Sequence, residues 1–145
     1  MKYKTQIMRN ILTIALIAFL GFSFLPSSKP DAGISFETIP LAKAMKKAEK
    51  SGKYIFIDAY TSWCGPCKRM AATSFKDAEV GKIFNEKFIN LKIDCEKDED
   101  GPEISRLYKI RAYPTLLVIN GSGELVKEVI GFQTADQLKN LAKSL

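Results

Sequence analysis

Cys64 and Cys67 carry the clearest chemistry in this chain, set two residues apart in Trp63-Cys64-Gly65-Pro66-Cys67-Lys68. Two cysteines at that spacing close a small ring or open to a dithiol. A thiolate at the first attacks a substrate disulfide, and the second then releases the mixed disulfide. The preceding run, Tyr54-Ile55-Phe56-Ile57-Asp58-Ala59-Tyr60, is apolar and rich in aromatic and β-branched residues, so it reads as a buried strand. Gly65 and Pro66 punctuate it, and Lys68 to Phe75 can be helical. The pair therefore sits at a strand-to-helix junction, with Cys64 near the helix N-terminus. Unpaired N–H groups and the helix dipole there favour an anion and lower a thiol pKa.

Other uses of the pair are less well supported. Zinc normally takes four ligands, and beyond the pair the chain offers one cysteine, Cys95, and no histidine. A c-type haem site needs histidine after Cys67, where Lys68 stands. A disulfide staple stays open as the structural alternative. The lack of histidine excludes a Cys–His hydrolase mechanism. Asp58 interrupts the apolar strand six residues before Cys64. Burial there raises its pKa and suits it to proton exchange; the plainer reading is a hydrogen-bonded structural carboxylate. Cys95 follows a predicted strand and is most simply a partly buried free thiol, with a regulatory or intermolecular disulfide as the sharper reading.

The hexamer Trp63 to Lys68 resembles the active-site signature of the thioredoxin superfamily. The resemblance covers roughly residues 34–145, anchored on Cys64–Cys67, Asp58 and Tyr113-Pro114-Thr115. It implies an α/β thioredoxin fold, a central mixed β-sheet flanked by helices. It implies Cys64 as nucleophile, Cys67 as resolving thiol and Asp58 as the aspartate that helps deprotonate Cys67. It also implies a cis-proline at Pro114 facing the cysteine loop, with Tyr113 lending backbone groups to an extended substrate chain. Trp63, Gly65, Pro66 and Gly131 would line the groove beside them. Residues 74–88 resemble a subset of exported thioredoxin-like proteins, including the C-terminal domain of the transmembrane thiol–disulfide interchange protein. Two positions depart from the pattern. Tyr60 stands where thioredoxin itself has a tryptophan, and Asn90 stands near the place of a lysine that couples to the buried aspartate.

The activity expected from this resemblance is thiol–disulfide exchange with client proteins, re-reduced by a membrane or soluble thiol donor. No cofactor or metal is implied, because electrons move through sulfur alone. Gly65-Pro66 puts no charged or imidazole side chain between the cysteines, which favours a reductant nearer roughly −270 mV than −120 mV. The alternatives are a net oxidase or isomerase, and a non-catalytic binding or chaperone module on the same fold. The chain is expected to act as a monomer.

The 145 residues, 46% of them hydrophobic, fit one compact domain at 29–145 behind a separate leader. Lys2, Lys4 and Arg9 precede the apolar run Ile11 to Leu25, and Pro26-Ser27-Ser28-Lys29-Pro30 breaks it. Residues 1–28 thus read as a secretory signal peptide, periplasmic in address if the source is bacterial. Fifteen residues are short for a span, which takes about 20. No Ala-x-Ala closes the run, so an uncleaved N-terminal anchor is the alternative. The net charge of +6 falls to +3 without the leader, which gives no argument for nucleic acid as a partner.

Further elements follow from periodicity. Gly33 to Ile39 reads as a short edge strand, and Leu41 to Lys50 as an amphipathic helix closed at Ser51-Gly52. Ser74 to Phe88 reads as a helix broken near Asp77, followed by a strand at Phe88 to Asp94; this alternation suggests a largely parallel sheet. Glu96 to Pro102 reads as a solvated charged loop rather than a calcium site, lacking the ligand spacing of one. Glu103 to Tyr108 reads as a short helix, and Leu116 to Ile119 and Leu125 to Ile130 as a hairpin about Asn120-Gly121-Ser122-Gly123. Thr134-Ala135-Asp136-Gln137 is a capping box that opens a last helix, with Leu138, Leu141 and Leu145 inward.

Overall fold

The computed structural model describes residues 33–145; the proposed leader lies outside them. The chain runs α1 (Leu41–Ser51), β1 (Tyr54–Tyr60), α2 (Gly65–Ala72), a 3-10 turn (Ser74–Lys76), α3 (Ala78–Lys87), β2 (Phe88–Asp94), α4 (Gly101–Leu107), β3 (Thr115–Ile119), β4 (Leu125–Ile130) and α5 (Ala135–Lys143). The sheet order is β2-β1-β3-β4. β1 and β2 are parallel, whereas β1–β3 and β3–β4 are antiparallel. The sheet is therefore mixed, and only one of its three pairings is parallel. β3 alone runs against the other three strands, so the reversal that the earlier βαβ alternation does not suggest comes between β2 and β3, and the hairpin then turns β4 back to the direction of β1.

Alternation along β1 divides its side chains between two cores, because successive residues of a strand face opposite sides. Ile55 and Ile57 join Ile89, Leu91, Leu117 and Ile119 under α1 and α4, with Ala44, Ala48 and Ile104. Phe56 joins Leu116, Val118, Phe75 and Phe84 on the other side, under α2, α3 and α5, with Met70, Val80 and Leu138. Edge-on ring contacts knit this second core, with the Phe56 and Phe84 centroids 4.8 Å apart; such pairs add about 0.5–1.5 kcal/mol beyond burial. Asp58 shares the face of Phe56, so its place in the strand period sends it into this aromatic core.

The expected strand at 33–39 is not one. Glu37 makes a single parallel bridge to Leu91. The Ile34 N–H donates to the Phe75 carbonyl at 2.8 Å, and the Glu37 N–H to the Asn90 carbonyl at 2.8 Å. Backbone groups bound to two different elements cannot form a ladder, although Ile34 and Phe36 do pack on the core. The break near Asp77 is a helix start: the Asp77 carboxylate accepts from the Glu79 and Val80 N–H groups at 3.0 and 2.9 Å. The charged loop also does more than meet water. Asp100 Oδ2 accepts from the Leu41 N–H at 2.7 Å, capping α1, whose own N-cap Pro40 supplies no side-chain bond. Asp98 Oδ2 accepts from the Asp94 N–H at 2.7 Å. The helix beyond begins at Gly101, two residues earlier than Glu103. A Cβ at Gly101 would lie 2.4 Å from the Asp94 carbonyl oxygen, so glycine lets α4 seat on the end of β2. The capping box on Thr134 and Gln137 forms as expected. Among the described residues no helix is long and apolar enough to cross a membrane.

Candidate active site

Cys64 is the N-cap of α2, and Gly65 and Pro66 are its first two residues. Proline is tolerated there because a first-turn N–H has no helical partner to lose. The next N–H, that of Cys67, donates to Cys64 Sγ at 3.2 Å. An N-cap side chain normally accepts through oxygen; here sulfur takes the bond. Cys64 and Cys67 are joined as a disulfide, with Cα atoms 5.3 Å apart. When that bond opens, the same N–H and the helix N-terminus favour negative charge on Cys64. Both cysteines are nearly covered, at 3% and 1% exposure, while Trp63 beside them is 65% exposed.

Asp58 is fully buried. Its Oδ2 pairs with Lys92 Nζ, and its Oδ1 has no hydrogen-bond partner among the described residues. Burial lifts its carboxyl above the ordinary carboxylate value, and the Lys92 charge and hydrogen bond pull it part of the way back. Lys92 arrives there by register: Asp58 stands opposite Lys92 across the parallel β1–β2 pair. Its ammonium lies 3.9 Å from the centre of the Tyr60 ring, so the tyrosine found in place of tryptophan packs on this lysine. A lysine does couple to the buried aspartate here, and it is Lys92, two residues on from Asn90. Asn90 stands opposite Phe56, and its amide donates to the Phe84 carbonyl at 3.3 Å and to Asn85 Oδ1 at 3.2 Å. Counting from the two strand starts, Tyr54 and Phe88, would have put Lys92 beside Asp58 from the sequence alone.

The Tyr113-Pro114 bond is cis. The Tyr113 ring meets Trp63 edge-on, with centroids 5.9 Å apart, which brings the loop before β3 against the cysteine loop. The Pro114 carbonyl accepts from the Gly131 N–H at 2.8 Å. Gly131 has φ +91°, in the left-handed region that favours glycine, with open space where a Cβ would stand. Tyr113 makes no backbone hydrogen bond with the described residues, leaving its N–H and carbonyl available to another chain. Trp63 Nε1 donates to both carboxylate oxygens of Glu96, at 3.1 and 3.0 Å. Sequence reasoning missed Glu96, which sits in a run of charges with nothing to mark it out. Cys95 is a free, buried thiol.

The structure thus sets Trp63 against Tyr113 and ties Gly131 to Pro114, with Cys64, Gly65, Pro66 and Cys67 at the start of α2 and Asp58 on the face of β1 that Phe56 shares with Met70 of α2. A disulfide at a helix N-terminus, able to open to a dithiol whose first thiolate that terminus favours, is equipped for thiol–disulfide exchange. Among the described residues no group of three or more His, Cys, Asp or Glu side chains could hold a metal ion.

The sequence profile of a family described as "Thioredoxin-like domain" matches residues 41–145. Thioredoxin-2 of Pyricularia oryzae is 33% identical over 101 residues, 69% of this chain and 54% of that protein. The Colwellia psychrerythraea thiol:disulfide interchange protein DsbD is 32% identical over 109 residues, 72% of this chain and 18% of that protein. This chain therefore spans about half the length of the first and under a fifth of the second. Among solved structures, a candidate disulphide-isomerase from Bacteroides thetaiotaomicron aligns with a TM-score of 0.67 at 46% identity, covering 76% of this chain and 91% of that one. The profile takes in every element from α1 to α5, and by that match the chain belongs to the thioredoxin-like family.

Proposed function

We propose that the protein is an exported thiol–disulfide oxidoreductase that reduces disulfides in client proteins. The observation that carries this reading is the Cys64–Cys67 disulfide at the start of α2, with the Cys67 N–H on Cys64 Sγ and a fully buried carboxyl on the sheet face beneath. In the reduced protein, Cys64 attacks the client disulfide. One client sulfur leaves as a thiolate, and the other bonds to Cys64. Cys67 then gives its proton to Asp58, attacks Cys64 and expels the second client sulfur. Asp58 passes that proton on, and water supplies the one that Cys64 gave up on becoming a thiolate, so the client gains two electrons and two protons in all and the protein is left as its disulfide. A thiol donor, in the membrane or in solution, reverses that oxidation. The client chain lies along Tyr113-Pro114, using the free backbone groups of Tyr113. Charged Lys127 and Glu128 on the β4 edge discourage edge-to-edge pairing and favour a monomer.

Trapping tests the roles. Cys67→Ser should accumulate mixed disulfides on Cys64 in non-reducing electrophoresis, and Cys64→Ser few; equal trapping overturns the assignment. Relatives described as isomerases support a second reading, net isomerase or oxidase. The reduction potential of the Cys64–Cys67 couple separates it from a reductase: a value near −120 mV would favour the oxidase. The export reading rests on the basic start and apolar run of residues 1–28. Cell fractionation with N-terminal sequencing tests it, and a cytoplasmic protein beginning at Met1 removes it.

A further inference from the structure

Lys92 is enclosed by aromatic rings as well as paired with a carboxylate. Its Nζ lies 3.9 Å from the centre of the Tyr60 ring, 5.7 Å from that of Phe75 and 6.0 Å from that of Phe36. The rings come from three separate places: the end of β1, the 3-10 turn and the segment before α1. The strand period explains the first. Tyr60 stands two residues beyond Asp58, on the same side of the sheet, and Lys92 faces that side from β2. The other two rings pack on each other edge-on, with centroids 5.3 Å apart. Backbone bonds from Ile34 and Glu37 to the Phe75 and Asn90 carbonyls fasten the segment that carries Phe36. The exchange steps written for Cys64, Cys67 and Asp58 give these rings no part.

A ring face attracts an ammonium within about 6 Å of its centre, and more strongly where water is scarce. The Lys92 side chain is mostly covered and Asp58 wholly so. Burial, then the charges of Asp94, Asp98 and Asp58, push the Tyr60 phenol up, so it meets the lysine as a neutral ring. The other elements around Asp58 bring little charge. β3 sets Leu116 opposite it, and α3 and α5 bring Phe84 and Leu138 to this core. Before α1, Glu37 is taken by Lys47 at 2.6 Å. Burial pushes the Cys95 thiol up and keeps it neutral. α2 brings Cys64 and Cys67, which titrate once reduced. We propose that Tyr60, helped by Phe75 and Phe36, is a positioning residue for the resolving step, holding the Lys92 ammonium on Asp58 so that this carboxylate can take the Cys67 proton. The inference rests on the oxidoreductase reading and adds the residues that keep its proton acceptor ionised. Without the Tyr60 ring, the ammonium turns toward water through its exposed side, and buried Asp58 keeps its own proton to higher pH.

The test is Tyr60→Leu, read in two ways. The carbon-13 resonance of the Asp58 carboxyl, followed against pH in the oxidised protein, should titrate with a higher midpoint than in the parent. Stopped-flow resolution of the mixed disulfide with insulin should slow about two- to five-fold on the acid side of the parent's pH profile, the ratio expected for one cation–ring contact, and match the parent on the alkaline plateau. Tyr60→Phe keeps the ring and should stay within about 1.5-fold of the parent throughout. In an Asp58→Asn background, Tyr60→Leu should leave the profile as it finds it. Phe36→Leu should move the carboxyl midpoint in the same direction, and it decides the matter if Tyr60→Leu folds poorly. An unmoved midpoint overturns the inference. So does an equal loss of rate at every pH, or a Tyr60→Phe variant that behaves like Tyr60→Leu. A parent that resolves no mixed disulfide removes the oxidoreductase reading; the carboxyl midpoint, measured without turnover, still decides whether the rings hold Lys92 on Asp58.

Discussion

Lys92→Met probes the buried carboxylate most directly. Asp58 is fully buried and depends on Lys92 for its one paired oxygen. Methionine keeps most of the aliphatic stem and removes the charge, together with the ammonium's contact on the Tyr60 ring. The cost then depends on whether Asp58 is ionised. A buried carboxylate stripped of its partner costs about 3–5 kcal/mol. The Lys92 side chain is 25% exposed, so water reaches the pair and the lower end, about 3 kcal/mol, is expected. Where Asp58 is protonated in both folded and unfolded protein, only a lost hydrogen bond remains, about 1 kcal/mol. The folded pKa of Asp58 lies above its unfolded value of 3.8, and removing Lys92 lifts it further. As pH rises past 3.8, the unfolded chain gives up this proton before the folded one does. The stability contribution is therefore complete below that value and is lost as pH climbs through the folded pKa. The variant should lose more stability than the parent across that window. Urea unfolding of both oxidised proteins from pH 4 to pH 9 measures it. A deficit that is constant with pH, or that shrinks as pH rises, would refute the reasoning.

Asp58→Asn should slow resolution of the mixed disulfide more than the first attack, since the carboxylate serves Cys67; stopped-flow kinetics separate the two steps, and an unchanged resolution rate returns Asp58 to a structural role. Gly101→Ala should destabilise the fold by about 1–3 kcal/mol, because the atoms its Cβ meets are all backbone of Asp94 and Cys95. A melting temperature within 1 °C of the parent, on the order of the scatter expected for a neutral change, would show that α4 shifts freely.

The parts most legible in the sequence are those fixed by local periodicity and punctuation. β1 and β2 begin and end where the apolar runs do, and the capping box at Thr134 forms from four adjacent residues. Cys64, Cys67 and Asp58 were legible because one short stretch carries all three. What could not be read locally depends on where distant segments meet. The bridge at Glu37 replaced a strand because Phe75 and Asn90 claim the backbone groups a ladder would use. Glu96 became a partner of Trp63 only once β2 delivered it beside the cysteine loop. Lys92 is an intermediate case: it follows from pairing two strands of equal length, a step beyond reading each strand alone.

α3 ends at Lys87 and β2 begins at Phe88, with no residue between them. The junction has no slack, so chain length there is tied to chemistry at the other end of the strand. One inserted residue would have to be absorbed by sliding β2 along β1. Lys92 would then turn to the opposite side of the sheet, leaving Asp58 beside an apolar neighbour. The cysteines would stay in place, and the protein would keep its motif while losing control of its proton. The hairpin turn at 120–124, by contrast, can grow without moving anything that handles sulfur. Variation in length among relatives should therefore collect at the hairpin and avoid the α3–β2 joint, and an engineer grafting this site elsewhere must carry that joint intact.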